Sequence, residues 1–295
     1  MNELRSYRYR VVDVFTDRPL EGNPLAVFYE AAGLDDGAMQ RIAREMSLPE
    51  TTFVFPPTQK DASAVVRIFT PQREMKFAGH PTLGTAYVLR EKGLVPPEIE
   101  NLILEEKVGP VRVRIEAGDS PVIWLRSPAI TEGPQVERGL CASALGLEMD
   151  ELLDISPQLL SAGNPTVYIA LKSREAVNRA VLSNEGYTGI RKNFAEPVCV
   201  FVFTPSAEGA YARMFAPEHG IPEDPATGSA TGPLAVFMMH HGLVSGKAGT
   251  RFISEQGTRM ERRSLLYVHI HGDQGQGGID VGGRVTPVAE GVLTI

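Results

Sequence analysis

The residues able to do chemistry in this chain fall into two short, Gly-rich sets. Phe77-Ala78-Gly79-His80-Pro81 places small residues and a histidine ahead of a predicted helix. Glu223-Asp224-Pro225-Ala226-Thr227-Gly228-Ser229 places an aspartate, two hydroxyls and a glycine in a similar setting. Small residues before a helix let backbone N–H groups approach a ligand, and the helix N-terminus carries partial positive charge suited to a carboxylate. Taken alone, each motif reads first as a cap and turn that serve packing. The recurrence, with His80 in one copy and Asp224 in the other, favours a site that moves a proton. Glu50, in Leu48-Pro49-Glu50-Thr51-Thr52-Phe53, adds a carboxylate whose default reading is a solvated loop side chain. Asn23 and Asn164 could touch a ligand, but Gly-Asn-Pro is first a turn signature.

These sets belong to a longer repeat. Gly22-Asn23-Pro24 returns as Gly163-Asn164-Pro165, Arg67-Ile68-Phe69-Thr70-Pro71 as Arg213-Met214-Phe215-Ala216-Pro217, and His80–Ala86 as Asp224–Ala230. Matched letter by letter, the separations are 141, 146 and 144 residues in a chain of 295. Solenoid units run to about 20–50 residues, so the repeat predicts two homologous domains with a ligand cleft between them. Near the same spacing, Glu196 beside Pro197 is the candidate mirror of Glu50. The expected division is 1–128 with a returning strand at about 284–295, and 129–283, with a linker within 127–134.

Each half reads as short strands around one dominant helix. Asp35 can cap a helix whose apolar positions Met39, Ile42, Ala43 and Met46 share one face, ending before Pro49. Glu50 is then expected in a loop ahead of the strand Thr52–Phe55. The segments from Thr82 to Lys92 and from Gly228 to His241 are apolar nearly all round, which predicts buried central helices, terminated at Gly93 and Gly242.

The composition is that of a globular protein with a real core, 43% hydrophobic and 22% charged. A net charge of −7 argues against a nucleic-acid footprint. No apolar run is long enough for a membrane span, and Met1–Arg5 does not open like a signal peptide. Cys141 and Cys199 show no metal or redox spacing. A cytoplasmic setting is expected. Gly275–Asp280 starts like a dinucleotide fingerprint but reads better as a hairpin. No Walker or HExxH motif occurs. His240-His241 and His269-x-His271 read as surface histidines, so neither metal nor organic cofactor is expected.

Together, Asp13-Val14-Phe15, Glu21-Gly22-Asn23-Pro24, Arg41–Met46, Pro49-Glu50-Thr51-Thr52-Phe53, Phe77-Ala78-Gly79-His80-Pro81 and Asp224-x-Ala226-Thr227-Gly228-Ser229-Ala230 resemble the PhzF family of phenazine biosynthesis isomerases. The likeness runs through both halves. It implies an α+β, diaminopimelate-epimerase-like fold with two pseudo-symmetric domains, each a barrel-like sheet around a central helix. It also implies cofactor-free isomerisation of trans-2,3-dihydro-3-hydroxyanthranilate or a related small carboxylic acid, and a homodimer. The general acid/base carboxylate of the family maps onto Glu50, and its supporting polar residues onto His80, Asp224 and Ser229. Substrate contacts are expected at Asn23, Gly79, Thr227 and Gly228. Relatives of this fold that racemise amino acids carry a cysteine in each Gly-rich motif; here neither motif has one, which argues against two-thiol chemistry. The alternatives are an isomerase of a different small acid and a non-catalytic binding protein using the same residues.

Overall fold

The computed structural model describes residues 4–118 and 120–295; the reading of residues 1–3 lies outside them. The chain divides into two compact units, Met1–Leu125 with Gly282–Ile295, and Arg126–Val281.

The first unit runs β1 (Ser6–Val14), β2 (Asn23–Phe28), α1 (Asp36–Met46), β3 (Glu50–Phe55), β4 (Ala64–Phe69), β5 (Glu74–Met75), α2 (Gly79–Glu91), β6 (Asn101–Glu106), β7 (Gly109–Ile115) and β8 (Ile123–Arg126), and takes back the last strand, Val285–Thr294. That strand pairs antiparallel with β1, and β1 with β2. The pairings β2–β3 and β4–β6 are parallel, β3–β4 and β6–β7 antiparallel. Helix α2 packs against β1, β2, β3, β7 and the last strand, so the sheet curls around it. This is why α2 is apolar on every side: Pro81, Leu83, Gly84, Ala86, Val88 and Leu89 are all buried. Gly84 is a packing glycine, since a Cβ there would lie 2.6 Å from Leu25 Cδ2 and 2.9 Å from Val14 Cγ2. Outside the sheet, α1 covers a second cluster of Phe28, Phe53, Met39 and Ile42. Its start is capped by Asp35, which accepts from the Ala38 N–H at 2.7 Å, and Ser47 ends it in the left-handed region. Glu50 stands as the first residue of β3 rather than in a loop, because it already pairs with Leu25 of β2.

The second unit runs β9 (Thr131–Gln135), α3 (Arg138–Ala144), β10 (Gln158–Ser161), β11 (Thr166–Ala170), α4 (Arg174–Arg179), α5 (Asn184–Arg191), β12 (Cys199–Ser206), β13 (Gly209–Ala216), β14 (Ile221–Asp224), α6 (Gly228–His240), β15 (Arg251–Gln256), β16 (Ser264–Ile270) and β17 (Ile279–Gly283). Residues 131–134, expected in a linker, belong to β9, which pairs with β10. The order of parallel and antiparallel pairings repeats that of the first unit: β11–β12 and β13–β15 parallel, β12–β13 and β15–β16 antiparallel. Helix α6 contacts β10, β11 and β16, and its Leu234, Phe237 and Met238 pack with Tyr168, Phe201 and Phe203.

Strand pairing corrects the register of the repeat. The two central helices open at Gly79 and Gly228, 149 residues apart. Met75 of β5 pairs with Ile68, and Asp224 of β14 with Met214, so Asp224 corresponds to Met75. His80, second in α2, corresponds to Ser229, second in α6. Glu50 faces Leu25 as Cys199 faces Thr166, so the counterpart of Glu50 is Cys199 and not Glu196. Matching Pro81 to Pro225 had shifted the third anchor by five residues. The helix start and the short strand before it are better guides than a shared proline.

Candidate active site

In the first unit, four of the expected residues converge on the start of α2. The edge of β3 presents Glu50, whose side chain is 15% exposed, and the first turn of α2 presents His80, 7% exposed. Glu50 Oε2 and His80 Nε2 approach to 3.4 Å. Such a contact is an ion pair only if the imidazole is protonated. Burial instead pushes His80 down to about 3, against a smaller opposing hydrogen bond to the Pro24 carbonyl. The ring is therefore neutral at physiological pH. Nε2 makes no hydrogen bond, so the bond to Pro24 uses Nδ1–H and leaves the Nε2 lone pair facing Glu50. The Gly-Asn-Pro segment thus has a role beyond a turn. Gly22 adopts φ +68°, Asn23 is buried as the first residue of β2, and Pro24 orients the imidazole.

The helix start itself is open. Ala78, in extended conformation, supplies no side-chain cap. A Cβ added at Gly79 would meet nothing within 4 Å, so packing does not demand glycine there. Its small size keeps the backbone approachable, in contrast to Gly84 one turn later.

In the second unit, Asp224 ends β14, Thr227 is the N-cap of α6, and Gly228 and Ser229 are the first two helical residues. The Thr227 hydroxyl donates to Asp224 Oδ2 rather than capping the helix. A residue that sequence reasoning missed ties this turn together. Gln256, fully buried at the end of β15, donates from Nε2 to the Asp224 carbonyl at 2.7 Å and to Thr227 Oγ1 at 3.1 Å. Its Oε1 accepts from the Thr227 N–H at 3.2 Å. Its counterpart in the first unit is Glu106, last in β6, and the corrected register would have pointed to both.

Both thiols are buried, and burial pushes Cys141 and Cys199 up to about 12. Cys199 donates weakly to Asn164 Oδ1 at 3.8 Å. Such thiols are poor nucleophiles and poor bases near neutrality. Among the described residues, His269, His271 and Asp280 form the one group whose ligand atoms could hold a metal ion. His271 Nε2 lies 2.7 Å from Asp280 Oδ2, and Arg126 Nε donates to Oδ1 of the same carboxylate at 2.5 Å. A guanidinium on the carboxylate makes this a satisfied ion-pair network rather than a prepared cation site. The histidines are half-buried, less exposed than the surface reading expected.

A carboxyl beside a neutral imidazole, next to an uncapped helix start, is an arrangement capable of acid–base chemistry on an anionic ligand. The family model described as phenazine biosynthesis-like protein matches residues 12–291, and the chain belongs to this PhzF family. It is 36% identical to an uncharacterized isomerase of Mesorhizobium japonicum, over 99% of this chain and 100% of that one. It is 34% identical to the trans-2,3-dihydro-3-hydroxyanthranilate isomerase of Pseudomonas aeruginosa, over 97% and 98% respectively. Among solved structures, a Bacillus anthracis PhzF-family protein matches with TM-score 0.88 at 27% identity, over 99% of this chain and all of that one. A hydroxyproline epimerase from Agrobacterium vitis shares the fold at TM-score 0.66 and 15% identity, over 98% of this chain and 91% of that one. The fold is the α+β, two-domain fold of the epimerase-like superfamily, and the protein is a PhzF-family isomerase. Among the described residues, no helix is long and apolar enough to cross a membrane.

Proposed function

We propose that this isomerase moves a proton between ring positions of a small cyclic carboxylic acid of the dihydro-hydroxyanthranilate type, with Glu50 as the single acid/base group. The observation that carries the reading is the placement of Glu50 against the unprotonated Nε2 of a buried, neutral His80 at 3.4 Å. Glu50 takes the proton from the ring carbon bearing the hydroxyl. The released electron pair shifts through the conjugated system of the ring, and the same carboxyl returns the proton at another ring carbon, leaving an enol that becomes the ketone. While Glu50 holds the proton, His80 Nε2 can accept a hydrogen bond from it, which keeps the carboxyl aimed. One shuttling group suits transfer across one face of a ring, whereas racemisation uses two. The buried thiols are unsuited to serve as that pair.

The open backbone at Gly79 is assigned to the substrate carboxylate, with Asn23 beside it. Asp224, Thr227, Gly228 and Ser229 are assigned to holding substrate polar groups, so their substitution should raise KM more than it lowers kcat. The named substrate comes from relatives such as the 34% identical Pseudomonas enzyme, while the 36% identical isomerase has no assigned substrate. A related small acid is therefore the second reading. Neither organic cofactor nor metal takes part in this scheme, and a cytoplasmic homodimer completes it.

The test is Glu50→Gln. The amide keeps size and hydrogen bonding but carries no transferable proton, and a positioned acid–base group contributes roughly 10²–10⁴ in rate. Turnover should fall at least a hundredfold, with ligand binding retained in calorimetry. Retention of more than about a tenth of the activity would refute the assignment, and binding lost together with turnover would point to a structural role.

A further inference from the structure

Beneath the turn that carries His80 lies a second carboxyl that the proposed reaction does not use. Glu106 is 7% exposed. Its Oε1 lies 2.6 Å from Thr82 Oγ1, and its Oε2 is buried without a hydrogen bond. Thr82 Oγ1 also lies 2.8 Å from the carbonyl of Ala78, the N-cap of α2. A hydroxyl has one proton, so Thr82 cannot donate to both oxygens. If Glu106 were ionised, Thr82 would have to turn toward it, and the side-chain bond to the Ala78 carbonyl would be lost. If Glu106 carries a proton, every group is served: Glu106 donates to Thr82, and Thr82 donates to Ala78. The buried Oε2 is then a neutral carbonyl oxygen, far less costly to leave unpaired than half of a carboxylate.

The second unit supports the same assignment. At the matching strand end stands Gln256, an amide that is a permanent donor, and it too reaches the N-cap residue of its central helix, Thr227. The position calls for a neutral donor, which glutamine supplies at every pH and glutamate only when protonated.

We propose that Glu106 is a positioning residue which, as a neutral acid, holds the first turn of α2 through Thr82 and Ala78, and whose ionisation releases that turn. Burial pushes Glu106 up to about 8, opposed only by the Thr82 hydrogen bond, so the release falls within a reachable pH range. Among the described residues, no charged group acts on it beside burial and the Thr82 hydrogen bond. On α2 the nearby titratable group is His80, held neutral. Just past the strand end, Lys107 lies 2.8 Å from Glu74 of β5. Across β7 the register partner is Gly109. The consequence for turnover rests on the assignment of Glu50 and His80 above; the protonation of Glu106 does not.

The experiment compares wild type with Glu106→Gln and Glu106→Ala, by urea denaturation from pH 5 to 9.5 and by pH profiles of kcat and KM. A carboxyl that titrates near 4.5 when unfolded and near 8 when folded leaves the native state with about one extra proton between those values. Wild-type stability relative to Glu106→Gln should therefore fall steadily as pH rises from about 5 to 8 and level off above. Wild-type kcat/KM should drop at least fivefold with a midpoint near 8, and the glutamine variant should lack that alkaline limb. The alanine variant should show the impaired activity at every pH. Parallel stability profiles for wild type and Glu106→Gln would overturn the proposal, as would an alkaline limb unchanged in the glutamine variant. If the stability profiles diverge as expected while Glu50→Gln keeps its turnover, the catalytic reading fails and the protonation of Glu106 stands.

Discussion

Two groups of opposite kind are buried around the start of α2, and both are expected to be uncharged at neutral pH. His80 is neutral because burial penalises its cation, and Glu106 because burial penalises its anion. Their linkages to stability have opposite signs. A histidine that titrates near 6.5 unfolded and near 3 folded makes the unfolded chain the better proton binder between those values. Stability from this source is present above about 6.5 and is lost as the pH falls toward 3. In His80→Asn the acid side of the pH–stability curve should flatten, as measured by urea midpoints between pH 4 and 7. A slope equal to wild type would mean that His80 is already protonated in the native state. The cysteines give a simpler prediction. A thiol reagent should label neither Cys141 nor Cys199 in the native protein, and Cys199→Ala should keep the fold. The proposed role of Glu50 came only from the family resemblance. Nothing in Pro49-Glu50-Thr51 reveals that β2 will pair there and draw the carboxyl out of solvent.

At the scale of elements, the two units use matching devices at unequal depth. Arg67 binds Glu74 and Arg213 binds Glu223, in each case from the strand before the central helix to the short strand that follows. Arg213 is 10% exposed and also donates to the carbonyls of Val177 and Ala180, whereas Arg67 is 26% exposed. Breaking a buried pair leaves an uncompensated charge, so Arg213→Ala should cost about 3–5 kcal/mol. Arg67→Ala should cost clearly less, because water reaches what remains. Equal losses in urea denaturation would contradict the assigned difference in depth. The two glycines of α2 separate packing from approach. Gly84→Ala should destabilise by about 1–3 kcal/mol through overlap with Leu25 and Val14. Gly79→Ala should cost no stability, and helix propensity slightly favours it, but it should raise KM by crowding the helix start. Helix positions, caps and the apolar character of α2 and α6 could be read from periodicity and turn residues. The repeat register could not, since the proline shared by His80-Pro81 and Asp224-Pro225 lies at different distances from the two helix starts.

Across the whole chain, the doubled order of strands was visible in two motifs that recur in register, a left-handed glycine and an arginine that needs a carboxylate, while the third, the helix start, recurred five residues out of register. The divergence between the copies was less visible. Where one unit has Glu50, His80 and Glu106, the other has Cys199, Ser229 and Gln256, so the carboxyl–imidazole pair and the buried acid beneath it belong to one unit and not the other. Chelator treatment should leave turnover unchanged, since the proposed proton path runs through side chains alone. Activity that vanished and returned with zinc would redirect attention to His269, His271 and Asp280. The central claim is that Glu50 carries one proton between two carbons of the substrate. Its most direct test is NMR of trans-2,3-dihydro-3-hydroxyanthranilate incubated with the protein in deuterium oxide. The account predicts isomerisation by the wild type, with the receiving carbon holding the substrate's own proton except where Glu50 exchanges with solvent before returning it, and no isomerisation with Glu50→Gln. Isomerisation by that variant at the wild-type rate would contradict it.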